Sequence, residues 1–479
     1  MQVPSSRIHQ KTLTILIDGV FFQLANSGIA RVWQSLLQEW VKNGFAKHLI
    51  LLDRDNTAPQ ITGINYQLIH RYEENNSAED SFLLQEMCDR YEANLFISTY
   101  YTTPISTPGI LLVHDMIPEV IGADLTATMW QEKSYAICYA ARYIAISEST
   151  TRDLHYFYPQ IAPATITVAL CGVDPLFMPS NRGAIEEFCT TNEITQPYFI
   201  IVGTRVGLDG YKNGIHTFRA LSQLSDHGQF EIVCVGGNPN LEAEFTDLIK
   251  GIKVHQLALN DQELQAAYSG AIALLYPSCY EGFGLPILEA MACGCPIITC
   301  RNSSLPEVAG DAAIYVSETG LTDFVAALRQ VQQPEVRSPL IAAGLSRSKY
   351  FSWAKMADTT AQVLLDTHAD IQSNKLHLSP KLSWTQFRQV LLQNQQKLVG
   401  LETQLATSQA ELVTSQAQLA TSQAELVTSQ TQLATLQVEL ATFQAQLITA
   451  RIQISSMENT KFWQLRQQWF RLKEILRLT

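Results

Sequence analysis

Glu281 and Glu289 frame the stretch of this chain that carries the most chemistry: Glu281-Gly-Phe-Gly-Leu-Pro-Ile-Leu-Glu289, continuing through Ala-Met-Ala-Cys-Gly-Cys to Pro296. Gly282 and Gly284 permit a tight turn and a close approach of backbone to a ligand. Leu285 opens a helix predicted to run to Ala292, whose free N–H groups face that turn. Such a helix start attracts phosphate or pyrophosphate. One carboxylate in the loop and one in the first turns of the helix face the same cleft on this reading, and carboxylates accept hydrogen bonds from the hydroxyls of a ribose or a hexose. Metal and thiol chemistry are not expected. Nine cysteines are scattered without paired spacing, and Cys293 and Cys295 form only a C-G-C triplet. They read as free thiols packing below the helix, not as a zinc site.

These residues need a scaffold, and hydrophobic patterning supplies one. Over residues 11–190, predicted strands at Leu13 to Ile17, His48 to Leu52, Leu95 to Ser98, Ile110 to Val113 and Tyr143 to Ile146 alternate with helical patterns such as Ile29 to Trp40. A second series begins near Tyr198, with strands predicted at 198–202, 231–235, 254–257, 271–276 and 296–299. Strands alternating with helices imply a parallel sheet covered on both faces. The expected fold class is α/β: two doubly wound, Rossmann-like domains, 1–185 and 186–350, facing a cleft. A hinge falls at Met178 to Pro197, and a helix at 351–368 returns to the first domain. Ligands of such sheets bind at the carboxyl ends of the strands, hence in the cleft.

The Glu281–Pro296 string resembles the signature of retaining family 4 glycosyltransferases with the GT-B fold. Further pieces match in order along residues 11–370. Asp18-Gly19 and Ser27-Gly28-Ile29-Ala30-Arg31 are similar to a "D-G…T-G-I-G-R" pattern, and Val113-His114-Asp115 to an "H-D" motif after a central strand. Ser147, Thr150-Thr151, Asp153-Leu154 and Gly172-Val173-Asp174-Pro175 follow. Val202-Gly203-Thr204-Arg205 then precedes Lys212-Asn213, and Ser304-Leu305-Pro306-Glu307 closes the series.

The resemblance implies transfer of a sugar, with retention, from a UDP- or GDP-linked donor held mainly by the second domain. The acceptor, a glycan or a lipid-linked glycan, sits mainly on the first. It implies no metal and no cofactor besides the donor. Charge gained by the departing diphosphate must then be met by protein groups, and Arg205 and Lys212 match the family's diphosphate-binding pair. By the same match Glu289 holds the ribose, Glu281, Phe283, Gly284 and the adjoining Gly282 and Leu285 lie against donor sugar and diphosphate, His114 hydrogen-bonds the donor sugar and helps the transition state, and Gly28 lines a loop near phosphate and acceptor; His114 and Glu281 are the expected catalytic residues. The leaving phosphate assists the acceptor's deprotonation, so no general base is named. The nearest subgroup resembles bacterial mannosyltransferases of surface polysaccharide synthesis, which makes GDP-mannose the first expectation for donor. Two departures stand out: Tyr211 occupies a position often held by Arg, and Ala30 replaces a frequent Gly. The competing reading is a non-catalytic scaffold of the same fold, yet Glu281, Glu289, Arg205 and Lys212 are all present. A phosphorylase of similar fold would need a pyridoxal-phosphate lysine site, and no segment resembles one.

Composition limits the remaining classes. Charged residues make up only 16% of the chain, and 33 Lys+Arg against 45 Asp+Glu give a formal net charge of −12. An acidic balance argues against a nucleic-acid binder. The segment Met1 to Lys11 lacks the apolar core of a secretion signal, and no run reaches about 18 consecutive apolar residues. The expected location is cytoplasmic, peripheral at the inner face of a membrane.

Beyond a linker at 369–385, residues 386–457 carry a fourteen-residue repeat, TSQAELVTSQAQLA. Leucines stand every seventh residue from Leu405 to Leu447, extended backwards by Leu391 and Leu398 and forwards by Ile454. A strict seven-residue period predicts a left-handed coiled coil, roughly 100 Å long at about 1.5 Å per residue. The second seam position is polar at Ser408, Ser415, Ser422 and Ser429, then apolar at Leu436, Phe443 and Ala450. Self-association is therefore expected through residues 436–454, against the alternative of a solitary helix. The tail 458–479 is different again. Within 461–479, five cations face Glu474 alone, a net charge of +4 that leaves −16 for residues 1–460. Phe462, Leu465, Trp469, Leu472 and Leu476 share one helical face, a pattern suited to an anionic membrane surface, against the alternative of a helix packing on a partner or on the protein's own surface.

Overall fold

The computed structural model describes residues 13–25, 27–73, 77–206, 210–224, 229–249, 251–376, 384–459 and 461–475, with side chains from 399 onward in the C-terminal helical part, position 463 excepted. The polar start Met1 to Lys11, the side chains of Leu391, Leu398 and Trp463, and the residues Leu476 and Arg477 lie outside it. The chain divides into two units, Met1–Trp384 and Thr385–Thr479.

The first unit contains two parallel sheets. The first sheet is built from β1 (Ile15–Asp18), β2 (Leu49–Arg54), β3 (Asn65–Ile69), β4 (Leu95–Ser98), β5 (Gly109–Val113), β6 (Arg142–Ala145) and β7 (Ile166–Val168), in the order β3-β2-β1-β4-β5-β6-β7. The second comprises β8 (Tyr198–Val202), β9 (Glu231–Val235), β10 (Val254–Leu257), β11 (Leu274–Tyr276), β12 (Ile297–Cys300) and β13 (Ala313–Val316), in the order β10-β9-β8-β11-β12-β13. Central strands such as β1 (ILID), β4 (LFIS) and β12 (IITC) are buried at every position, as expected where helices cover both faces. The sequence reading omits β3, β7 and β13. β3 and β7 are edge strands of the first sheet and β13 is an edge strand of the second. Edges keep polar and half-exposed positions that blur the apolar run; in β3 only Ile69 is buried.

The region read as a hinge contains a helix, Arg182–Thr191, capped by Asn181, whose side chain accepts from the Ala184 N–H. Phe188 of this helix packs against Tyr198 at the start of β8, so the helix belongs to the second sheet's layer. The helix Trp353–Gln372 returns to the first sheet. Trp40 donates its indole N–H to the Ala357 carbonyl at 3.0 Å, and Arg142 pairs with Asp370 at 2.6 Å. A Cβ at Gly172 would stand 2.1 Å from the Trp353 nitrogen, so only glycine lets the two segments pass.

The second unit is helical: Trp384–Glu458, then Lys461–Ile475. Among the described residues no helix is long and apolar enough to cross a membrane, and all nine cysteines are free.

Candidate active site

In each sheet the strand order reverses once, between β1 and β4 and between β8 and β11. Loops leaving the carboxyl ends of such a strand pair diverge and open a crevice. The loop after β8 carries Lys212 and the loop after β11 carries Glu281. Lys212 Nζ donates to Glu281 Oε1 at 2.6 Å and lies over the rings of Tyr211 (4.8 Å) and Tyr276 (5.4 Å). Burial opposes the ammonium charge, but Glu281 outweighs it and holds Lys212 well above the usual lysine range. Asn213, in the left-handed region at φ 58°, turns the chain into the helix Gly214–Ser222. Its amide donates to the carbonyls of Pro277 and Glu318, which ties the Lys212 loop to the Glu281 loop.

The glycine turn is braced on both sides. Ser304 Oγ lies 2.9 Å from the Glu281 carbonyl and 2.8 Å from that of Phe283, and the Glu281 N–H donates to Ser303 Oγ. Gly284 caps the helix Leu285–Ala292 at φ +105°. A Cβ at Gly282 would lie 1.9 Å from the His114 carbonyl oxygen, so the turn presses against the end of β5 across the cleft. Thr150 Oγ1 donates to the Gly282 carbonyl. Glu307 accepts from the N–H groups of Glu148 and Ser149 at 2.8 and 3.2 Å; it caps the helix Glu148–Phe157 from the opposite domain, a bracing role. Tyr280 donates to Asp153 at 2.6 Å.

His114 is buried, and its Nδ1 has no hydrogen-bond partner among the described residues. Burial pushes its pKa down to about 4, with Asp115 opposing and Lys133 assisting, so the imidazole is neutral at pH 7. Glu289 is also buried. Burial raises its pKa to about 7, against the pull of Arg31 and the hydrogen bond from Tyr268. Arg31 crosses the cleft from the helix Gly28–Lys42, forks onto Asp261 at 2.5 and 3.1 Å, and stands 3.7 Å from Glu289. Gly28 begins that helix, and a Cβ there would be 3.4 Å from Leu285. Gly28, Leu285, Glu289, His114 and Gly282 therefore all meet where the two domains face each other.

Two expected members make their described contacts with the protein itself. The Arg205 guanidinium is buried, pairs with Glu242 at 2.7 Å, and donates to the carbonyls of Gly236, Asn238 and Asn240. It anchors the loop after β9, and with Lys212 it lines one small pocket beside β8 and β11. The Phe283 ring is buried in the core, edge-on to Phe351 at 5.8 Å. Arg31, Tyr268 and Asp261 carry no role in the sequence reading. Arg31 lies inside a quoted motif, but its partners Asp261 and Glu289 are more than 200 residues away.

The reversal point of the first sheet holds a separate cavity of about 260 Å³, lined by Val20, Leu24, Tyr72, Tyr100, Met129 and Glu132 among others. Tyr72 donates to Glu132 at 2.5 Å. Beside it, Arg54 forks onto Asp18 and Asp80 and lies 5.5 Å from the Tyr72 ring. Aromatic and apolar walls with one carboxylate suit a pyranose ring.

Comparison with known proteins gives three kinds of likeness. A family profile for "Glycosyl transferases group 1" matches residues 196–333. O-antigen chain mannosyltransferase B of Escherichia coli is 43% identical over 102 residues, which cover 21% of this chain and 26% of that protein; the alignment thus spans about a quarter of the relative's length. Among solved structures, WaaG, a glycosyltransferase involved in lipopolysaccharide biosynthesis, superposes with a TM-score of 0.59 at 15% identity, covering 73% of this chain and 99% of that one. HepE of Anabaena, in complex with UDP-glucose, superposes at 0.57 and 13% identity, covering 75% and 100%.

Proposed function

We infer that this chain, a group 1 (family 4) glycosyltransferase of the GT-B fold, moves a sugar from a nucleotide-diphosphate donor to a glycan or lipid-linked acceptor in polysaccharide or lipopolysaccharide assembly. The observation that carries this reading is the pairing of Lys212 with Glu281 beside the Gly284-capped helix. There a cation and the positive end of a helix converge where a diphosphate would gain charge on leaving. Glu289 accepts hydrogen bonds from ribose hydroxyls, and neutral His114 offers a donor or acceptor to the donor sugar. The 260 Å³ cavity takes the acceptor sugar. Domain closure through Arg31–Asp261, Tyr280–Asp153 and Glu307 excludes water and competing hydrolysis. Mannose as the transferred sugar is supported by likeness to the E. coli O-antigen enzyme, and a UDP-linked donor by likeness to HepE.

A calorimetric screen of the purified chain against GDP-mannose, UDP-glucose and other nucleotide sugars tests the reading. One donor is expected to bind and to be transferred or slowly hydrolysed. If none binds and none is consumed, the protein is a scaffold and not an enzyme.

Self-association belongs to the same reading. Leu433, Leu436, Leu440, Phe443 and Leu447 are all exposed on the isolated helix, and Gln430, Gln437 and Gln444 flank the seam without like charge. A second copy of the chain covers this stripe. Removing residues 386–457 is expected to reduce a dimeric or larger solution mass to that of one chain, measured by light scattering. A monomer before and after the deletion would reject the coil.

A further inference from the structure

The helix Lys461–Ile475 is not a continuation of the coil. If the seven-residue frame of Leu405 to Ile454 ran on, its seam would pass through Lys461, Gln464, Gln468 and Arg471, all polar, before meeting an apolar residue only at Ile475. The preceding helix stops at Glu458, and the tail carries an apolar face in a new frame. At 100° per residue, Phe462, Leu465, Trp469 and Leu472 fall within one arc of about 80°. All four are more than half exposed. Lys461 borders one edge of the arc. Lys473 and Arg466 border the other, with Arg466 5.6 Å from the Phe470 ring. The far side is Gln464, Gln467, Gln468, Arg471 and Glu474, interrupted by Ile475 at the helix end. Among the described residues of this helix four cations stand against one carboxylate.

We propose that this helix docks on an anionic lipid surface and lies in its interface. The charge pattern selects that occupant. A protein groove would need only the apolar arc, whereas cations on both borders reach lipid phosphates while the arc enters the acyl boundary. Trp469 at the centre of the arc suits the headgroup level. The segment is too short to cross a bilayer, so it would hold the chain peripherally. This inference is independent of the catalytic reading, since it draws on no residue of the cleft.

Co-sedimentation of the full chain with vesicles tests it. Binding is expected to vesicles of phosphatidylcholine with about 30% phosphatidylglycerol, and to fall at least tenfold on pure phosphatidylcholine or at about 0.5 M salt. Leu465→Gln with Trp469→Gln is expected to lose the same binding at least tenfold. Donor turnover in vesicle-free solution should stay at the wild-type rate. Equal binding to neutral vesicles, no binding at all, or full binding by a chain lacking 461–479 would each overturn the proposal. Loss of solution turnover in the double variant would also overturn it, because it would mean that the tail docks on the protein's own acidic body.

Discussion

Lys212→Ala is expected to lower transfer by about 10²–10³-fold while the protein remains folded, the range seen when one preorganised stabiliser of developing charge is removed. The size of the effect follows from how the site is staffed. Arg205 is committed to Glu242 and three backbone carbonyls, and Tyr211 occupies the position before Lys212 where the resembling family often places Arg. Compensation of the leaving diphosphate then rests chiefly on Lys212, because at the Gly284 cap Pro286 has no N–H and the Ile287 N–H donates to the Gly284 carbonyl. Removing the ammonium also leaves Glu281 unpaired beside the same phosphates, adding repulsion to lost attraction. Because the charge grows as the glycosidic bond breaks, kcat should fall further than donor affinity weakens. The fold should survive, since Lys212 sits in a loop and its loss breaks one partly buried pair, a cost of about 3 kcal/mol or less. Steady-state kinetics with the melting temperature recorded alongside check both halves. Turnover within threefold of wild type would remove Lys212 from the reaction.

How much of this was legible in the sequence depends on the range over which each feature is determined. The two parallel sheets follow from local runs such as ILID and IITC, and only edge strands such as β3, whose positions are mostly half-exposed, escape. The long C-terminal helix follows from its seven-residue period. The glycine turn was legible because Gly282 and Gly284 answer local demands, although the reason at 282, the His114 carbonyl from the other domain, is not local. The partner of Arg205 was not legible because nothing in Val202-Gly203-Thr204-Arg205 reveals Glu242, and buried cations go where a carboxylate and carbonyls satisfy them. The burial of the Phe283 ring was not legible because an aromatic in a loop reads the same whether it faces ligand or core. Arg31 was quoted and given no role, since its contacts exist only once the two domains face each other.

Glu289→Gln is expected to stabilise the unliganded protein at alkaline pH and to damage it as an enzyme. The Glu289 pKa, raised to about 7 by burial despite Arg31 and Tyr268, exceeds its ordinary unfolded value. A carboxyl group with a raised folded pKa contributes its full stabilisation below the unfolded pKa and loses it as pH rises through the folded one. Between about pH 4.5 and 7 the native state therefore loses on the order of 3 kcal/mol through this group. Gln carries no charge and avoids that loss. At pH 8 the variant should melt a few degrees higher than wild type, and near pH 4 the difference should close. Donor binding runs the other way. An ionised carboxylate accepts hydrogen bonds at both oxygens, whereas the protonated acid must donate at one. Wild-type donor KM should fall as pH rises from about 6 to 8, tracking deprotonation of Glu289. In Glu289→Gln it should be flat with pH and at least tenfold higher at pH 8, since a buried charge-assisted pair of bonds is worth about 1.5–3 kcal/mol. Melting curves and donor KM measured across that range decide the matter. A variant with wild-type KM and an unchanged pH profile would take the ribose away from Glu289, and a variant less stable at pH 8 would show that its charge is satisfied in the native state.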